Sequence, residues 1–191
     1  DSVTVSSLVA IVGATVFLQR FAVPFGASQV PAAFIADYLI FLTLLCRGRL
    51  VVNSGLFVLF MVTTAFMTLP LIASATKASL MSYADLLSIY GLYIFKLKYP
   101  TGCFRRVSNA FLDIMTLCAA LGIAQFVLQF VLNPDYVFPL DTFTPDTFLL
   151  DGYNVIIPLE YLSSTLKSNG VFFLEPSFYS QFLAVAAIIE L

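Results

Sequence analysis

The sequence contains no histidine and no tryptophan, and only 10% of its 191 residues are charged. Without imidazole the chain has no neutral-pH proton shuttle and lacks the commonest zinc ligand, so no metal site is expected. The three cysteines, Cys46, Cys103 and Cys118, are scattered and form no CxxC pair. They read as small apolar filler or a loop thiol rather than as a redox or metal motif. A net charge of −2, with no basic patch interleaved with aromatics, argues against a nucleic-acid partner. The scarcity of charge also bears on the solvent. Soluble domains carry about 25% charged residues, and a chain with 10% cannot cover its surface with polar groups. A lipid bilayer is the expected surrounding.

What is present agrees with that expectation. Hydrophobic residues make up 60% of the chain and the mean hydropathy is +0.98. A membrane span needs about 20 apolar residues. Candidate spans cover residues 3–18, 30–46, 50–72, 80–95, 107–132 and 171–191, with Pro31 placed in the first turn of the second. The expected fold class is all-α, a polytopic bundle of about six transmembrane helices forming a single domain over 1–191, with one large extracytoplasmic loop at 133–170. The chain has no initiator Met and ends within an apolar run at Leu191, so a piece of a longer protein is expected. The first segment lacks a basic leader and a small-residue cleavage site and reads as a true span.

Basic residues suggest the orientation. Arg47, Arg49, Lys96, Lys98, Arg105 and Arg106 fall in two loops separated by two spans, so both loops belong on one side, taken as cytoplasmic. Arg20, Lys77 and Lys167 then fall outside, as does the 133–170 loop, and the N-terminus lies inside. In that loop Asp141-Thr142-Phe143 and Asp146-Thr147-Phe148 echo each other, too briefly for a structural repeat. Leu159, Leu162 and Leu166 share a helical face, which suggests a short helix lying on the membrane or on the protein's own outer face.

Several polar residues stand out. Asp37 lies within the second span, where an ionisable group is structural or functional. Arg20 is an outward cation at a span end: it either snorkels toward headgroups or clamps phosphate oxygens, which guanidinium matches bidentately. Lys167 either pairs with a nearby carboxylate or meets an anionic ligand. Pro176 disfavours helical geometry at Glu175, so the last helix is expected to begin at Pro176 after a turn at Asn169-Gly170. Glu175 then reads as a helix N-cap or as an acid/base group.

The stretch Leu166-Lys167-Ser168-Asn169-Gly170-Val171-Phe172-Phe173-Leu174-Glu175-Pro176-Ser177-Phe178-Tyr179-Ser180-Gln181 resembles the O-antigen ligase and Wzy-type polysaccharide polymerase superfamily, especially the exopolysaccharide polymerases. Gln19-Arg20-Phe21-Ala22-Val23-Pro24 followed by Gln29-Val30-Pro31 is similar to the start of such proteins. Lys167 stands where arginine is usual, and the histidine that the ligases carry in a later loop is absent. The resemblance implies the N-terminal half of a GT-C-type glycosyltransferase of the bacterial inner membrane, needing no metal or other cofactor. Such an enzyme transfers a polyprenyl-pyrophosphate-linked glycan on the outer face, alongside other polysaccharide-assembly proteins. It implies substrate contacts from Arg20, Lys167, Asn169, Gly170 and Gln181, with Glu175 the catalytic candidate. Two other readings stay open. Asp37 and the prolines Pro24, Pro31 and Pro70 suit a transporter or flippase, and the absence of histidine suits a non-catalytic assembly subunit.

Overall fold

The computed structural model describes residues 2–25, 28–73, 80–98, 102–132, 134–161 and 163–191. Lys77 and Leu162, singled out above, and Asn133, the first residue of the expected 133–170 loop, lie outside the described residues. The chain is mostly helical, and each apolar segment coincides with a helix: α1 (Ser2–Phe17), α2 (Ala32–Cys46), α3 (Ser54–Ala73), α4 (Leu80–Leu92), α5 (Cys103–Leu128) and α8 (Pro176–Glu190). Short helices α6 (Pro134–Val137) and α7 (Pro139–Phe143) and a 3-10 turn at Asp146–Phe148 lie between α5 and α8. Two helices, α3 and α5, are long and apolar enough to cross a membrane. At about 1.5 Å per residue, α1 and α2, with 16 and 15 residues, fall short of a hydrocarbon core about 30 Å thick.

α2, α3 and α4 are shorter than the apolar runs they fall in because short strands take their flanks, adding a little sheet to the mostly helical fold. β1 (Ala22–Phe25) and β2 (Ser28–Pro31) form one antiparallel ribbon; β3 (Leu50–Val52) and β4 (Phe95–Leu97) form another. Pro31 is therefore not in the first turn of α2. It pairs with Ala22, and Ala32 N donates to Phe21 O at 2.8 Å. α2 stops in a Schellman arrangement: Arg49 N donates to Leu44 O at 3.0 Å and Gly48 N to Leu45 O at 2.9 Å. Gly48 adopts φ +63°, a conformation that favours glycine.

The chain forms two compact units, 1–42 with 101–191 and 43–100, the division falling inside α2. In the first, α5 packs against both α1 and α8. Val16, Met115, Cys118, Phe173, Tyr179 and Ala186 form its buried core. In the second, β3–β4 closes one end of the α3–α4 hairpin, and Thr68 Oγ1 lies 2.7 Å from Tyr83 Oη between the two helices.

Among the described residues the expected surface helix around Leu159 is absent. Leu159 N instead donates to Thr165 O at 2.7 Å and Lys167 N to Ile157 O at 2.8 Å, with Pro158 and Leu166 forming a bridge. The backbone groups a helix would need are committed across this narrow turn-back.

Candidate functional site

Three of the six sequence-selected residues, Arg20, Asn169 and Gly170, converge where the 134–175 segment folds over the ends of α1, α5 and α8. The organising element is the turn Asn169-Gly170-Val171. Gly170 has φ +62° and Val171 φ +70°. The left-handed region is uncommon for any side chain and strained for a β-branched one. Such a conformation persists only when its surroundings over-determine it. Here Asn169 Oδ1 accepts from Val171 N at 3.1 Å, and Arg20 Nη1 donates to Val171 O at 3.2 Å.

Two glutamines four residues apart, Gln125 in α5 and Gln129 at its C-cap, fasten the approach to this turn. Gln125 fills all its hydrogen-bonding capacity. Its Nε2 donates to Val137 O (3.1 Å) and Asn169 Oδ1 (3.0 Å), and its Oε1 accepts from Ser168 Oγ (2.7 Å) and Asn169 N (3.1 Å). Gln129 grips Leu166 in both directions, accepting from its N at 2.7 Å and donating to its O at 3.2 Å. Gln29, in β2, does the same for the loop, donating to Leu149 O at 3.0 Å and accepting from Asp151 N at 2.9 Å. In each case a side-chain amide replaces the backbone partner that a sheet neighbour would supply.

Arg20 is 3% exposed and forms an ion pair with Asp141 of α7. Its guanidinium is thus committed to Asp141 and to Val171 O rather than open to a ligand. Two buried polar atoms near this arrangement, Asp141 Oδ2 and Asn169 Nδ2, have no hydrogen-bond partner among the described residues.

Tyr179 of α8 closes the underside. Its hydroxyl donates to Cys118 O at 3.1 Å. Its ring lies so close to Gly122 and Gly170 that a Cβ at either position would collide with it; at Gly170 the nearest ring atom would be 2.7 Å away. The two glycines are there to admit the ring.

The remaining candidates sit at the rim. The Lys167 side chain is exposed and forms no ion pair with the described residues. Glu175 occupies the N-cap position before Pro176, where α8 begins as expected, but its side chain does not cap the helix backbone. Its Oε1 accepts from Asn154 N and its Oε2 from Ser177 Oγ, each at 3.0 Å. Tyr153 packs edge-on against Phe178 beside this clip, with ring centroids 6.1 Å apart. Gln181 is exposed on α8 and makes no bond to the turn. The structure thus joins Arg20, Asn169 and Gly170, puts Lys167 and Glu175 along the same continuous segment, and leaves Gln181 apart.

Sequence reasoning missed Asp141, Gln125, Gln129 and Tyr179. The available signal was Gln125 and Gln129 in the apolar final stretch of α5 and at its C-cap, because polar side chains in such a setting seek partners.

No family model matches this chain. No curated protein or solved structure matches it either.

Proposed function

We propose that the chain belongs to an integral membrane glycosyltransferase that polymerises or ligates polyprenyl-pyrophosphate-linked oligosaccharides on the outer face of the bacterial inner membrane. In this reading α1, α2, α3, α4, α5 and α8 all cross the bilayer, the short ones with help from their flanking ribbons. The N-terminus is cytoplasmic and the 133–170 segment extracytoplasmic. The apolar side chains that α3 leaves exposed, among them Val58, Phe66 and Ile72, support a lipid surrounding.

The observation that carries the reading is the exposed, unpaired Lys167 ammonium at the rim of a rigidly fastened turn, in a stretch that resembles the polymerases. A breaking glycosidic bond leaves negative charge on the departing pyrophosphate. A cation held in place before the reaction stabilises that charge without reorganising. Lys167 is the residue that meets the pyrophosphate. Arg20, buried against Asp141, is a positioning residue: it holds Val171 O and so fixes the turn. A phosphate could reach the guanidinium only by displacing Asp141. Glu175, which spends one lone pair of each oxygen on Asn154 and Ser177, retains acceptor capacity to orient an acceptor hydroxyl.

The test is polymer formation from purified lipid-linked donor by the full-length protein in proteoliposomes. Lys167→Ala is expected to lower turnover by about 100-fold while the protein elutes and melts like the wild type, and Lys167→Arg to restore most of it. Undiminished polymer from Lys167→Ala would remove the residue from the mechanism.

A transporter is the second reading, and Asp37 is the observation that favours it. Its Oδ2 lies 3.0 Å from Thr15 Oγ1 on α1, while its Oδ1 is buried without a partner among the described residues. A carboxylate with an unmet oxygen inside an apolar helix suits ion coupling. Polymer made by the purified protein alone would exclude a purely transporting role.

A further inference from the structure

The α5–α8 pair carries a groove that the glycosyltransferase reading does not use. The two helices run in opposite directions: Tyr179 meets Cys118 and Gly122, while Glu190, at the far end of α8, shares a cavity with Asn109 and Asp113. That cavity has a volume of about 690 Å³. Along α5 it reaches from Asn109 to Ala119, about 15 Å or three turns. Asn109, Asp113 and Thr116 lie at i, i+4 and i+7 and so share one face of α5. Together with Glu190 they line the groove, and all four are exposed. Beyond Arg106, Asp113 is the only charged residue of α5. It lies ten residues after Cys103, about 15 Å along a helix long and apolar enough to cross a membrane. The Asp113 and Glu190 carboxylates make no ion pair or hydrogen bond among the described residues. Thr116 Oγ1 donates its proton to Leu112 O at 2.8 Å, so it offers the groove an acceptor only. Apart from the Asn109 amide, the polar side chains of the groove present acceptors and two negative charges.

An ionisable group at membrane depth faces protein or water and finds a partner there. The complement of this surface is a cation with several donors, carried on an apolar body. Ala119, Ala186 and Ala187 keep the walls of the groove low, as small residues do where a neighbouring helix approaches closely. No described helix other than α5 contains a lysine or an arginine, so the cation comes from outside them. A second copy of this chain matches poorly. A two-fold axis along the bilayer normal sets identical residues at the same depth and would bring carboxylates against carboxylates.

We propose that the groove between α5 and α8 seats a transmembrane helix of a partner protein, whose basic side chain meets Asp113 and Glu190. The partner's cation relieves the two unpaired carboxylates, and its apolar face packs on the alanine walls. Guanidinium suits the position best, because it is weakly hydrated and carries five donors. The proposal rests on α5 crossing a bilayer and not on the glycan reading.

The experiment uses the purified full-length protein in nanodiscs of zwitterionic lipid. The probe is a synthetic leucine-alanine transmembrane peptide of about 20 residues with one central arginine and a photo-activatable leucine beside it. The reference is the same peptide with leucine in place of the arginine. Crosslinking against peptide concentration is expected to show the arginine peptide binding about tenfold more tightly, with crosslinks in 109–119 and 183–190. Asp113→Asn with Glu190→Gln is expected to erase the difference. Both side chains are exposed, so the fold should persist. Ala187→Phe, at an exposed position in the wall, should weaken both peptides. Asp146→Asn with Asp151→Asn, which removes two exposed carboxylates outside the groove, should leave the difference intact. Equal binding of the two peptides, a difference that survives in the Asp113 and Glu190 variant, or crosslinks elsewhere in the chain would overturn the proposal. Self-association of the full-length protein that Ala187→Phe disperses would also overturn it, by assigning the groove to a second copy.

Discussion

The two compact units bury different things. In 1–42 with 101–191, polar groups lie at the centre: Arg20, Gln125 and Asn169 are all below 5% exposure, beside the apolar core of Val16, Met115, Cys118, Phe173 and Tyr179. In 43–100, Leu44 is the only side chain buried among the described residues, and α3 carries exposed Leu, Val, Phe and Met around its circumference. One unit is specified from within by hydrogen bonds whose loss would leave buried groups unpaired. The other presents an apolar exterior, and its surroundings must supply what packing does not. Substitutions should therefore be costly in the first unit and nearly silent in the second.

The largest effect is expected at Arg20. Removing Arg20 leaves the charge of Asp141, 25% exposed, uncompensated, at a cost of about 2–3 kcal/mol, below that of a fully buried pair. Arg20→Ala also frees Val171 O, so the strained turn loses one of its two fastenings. Thermal unfolding in detergent should register the loss. Asp141→Asn in the Arg20→Ala background should recover part of it, because the orphaned carboxylate is gone. A melting curve for Arg20→Ala that overlays the wild type would mean that the first unit is not held from within.

Next comes Gly170→Ala. The new Cβ would occupy the space of the Tyr179 ring at a position already at φ +62°. Overpacking and positive φ together suggest about 2–4 kcal/mol. Tyr179→Leu should relieve the overpacking part, so the double variant should be more stable than the sum of the two single changes predicts. Strict additivity would show that the ring and the glycine do not constrain each other.

These residues also show where sequence reading reaches and where it stops. The beginning of α8 at Pro176 and the turn at Asn169-Gly170 were legible, because proline and glycine act through local backbone geometry. The apolar segments were legible as helices for a similar reason. Their ends were not: at Pro31 and at Leu50–Val52 a neighbouring strand competes for the same backbone groups, and for Leu50–Val52 that strand, Phe95–Leu97, lies more than 40 residues along the chain. The partnership of Arg20 with Asp141 spans 121 positions, and no period or motif announces it. The grip of Gln129 on Leu166 is equally silent, because a side chain that bonds backbone imposes no residue type on its partner. The hydrophobic spacing of Leu159 and Leu166 misled for the same reason: Thr165 and Ile157 had already taken up the backbone that a helix needs.

The smallest effect is expected in the second unit, and it tests the comparison from the other side. Val58 and Phe66 on α3 are 60% and 68% exposed. Val58→Ala and Phe66→Leu should each change stability by no more than about 0.5 kcal/mol, as substitutions away from packed features usually do. Truncating Met115, 1% exposed in the core of the first unit, should cost about 2–5 kcal/mol. The same chemistry, loss of apolar volume from a long apolar helix, would then give two results that differ severalfold. If Val58→Ala instead costs more than about 1 kcal/mol, a value typical of buried sites, that face of α3 is covered by protein rather than lipid. In that case the exposed apolar surface of 43–100 is an interface with a specific partner, and its surroundings are as exacting as the interior of the first unit.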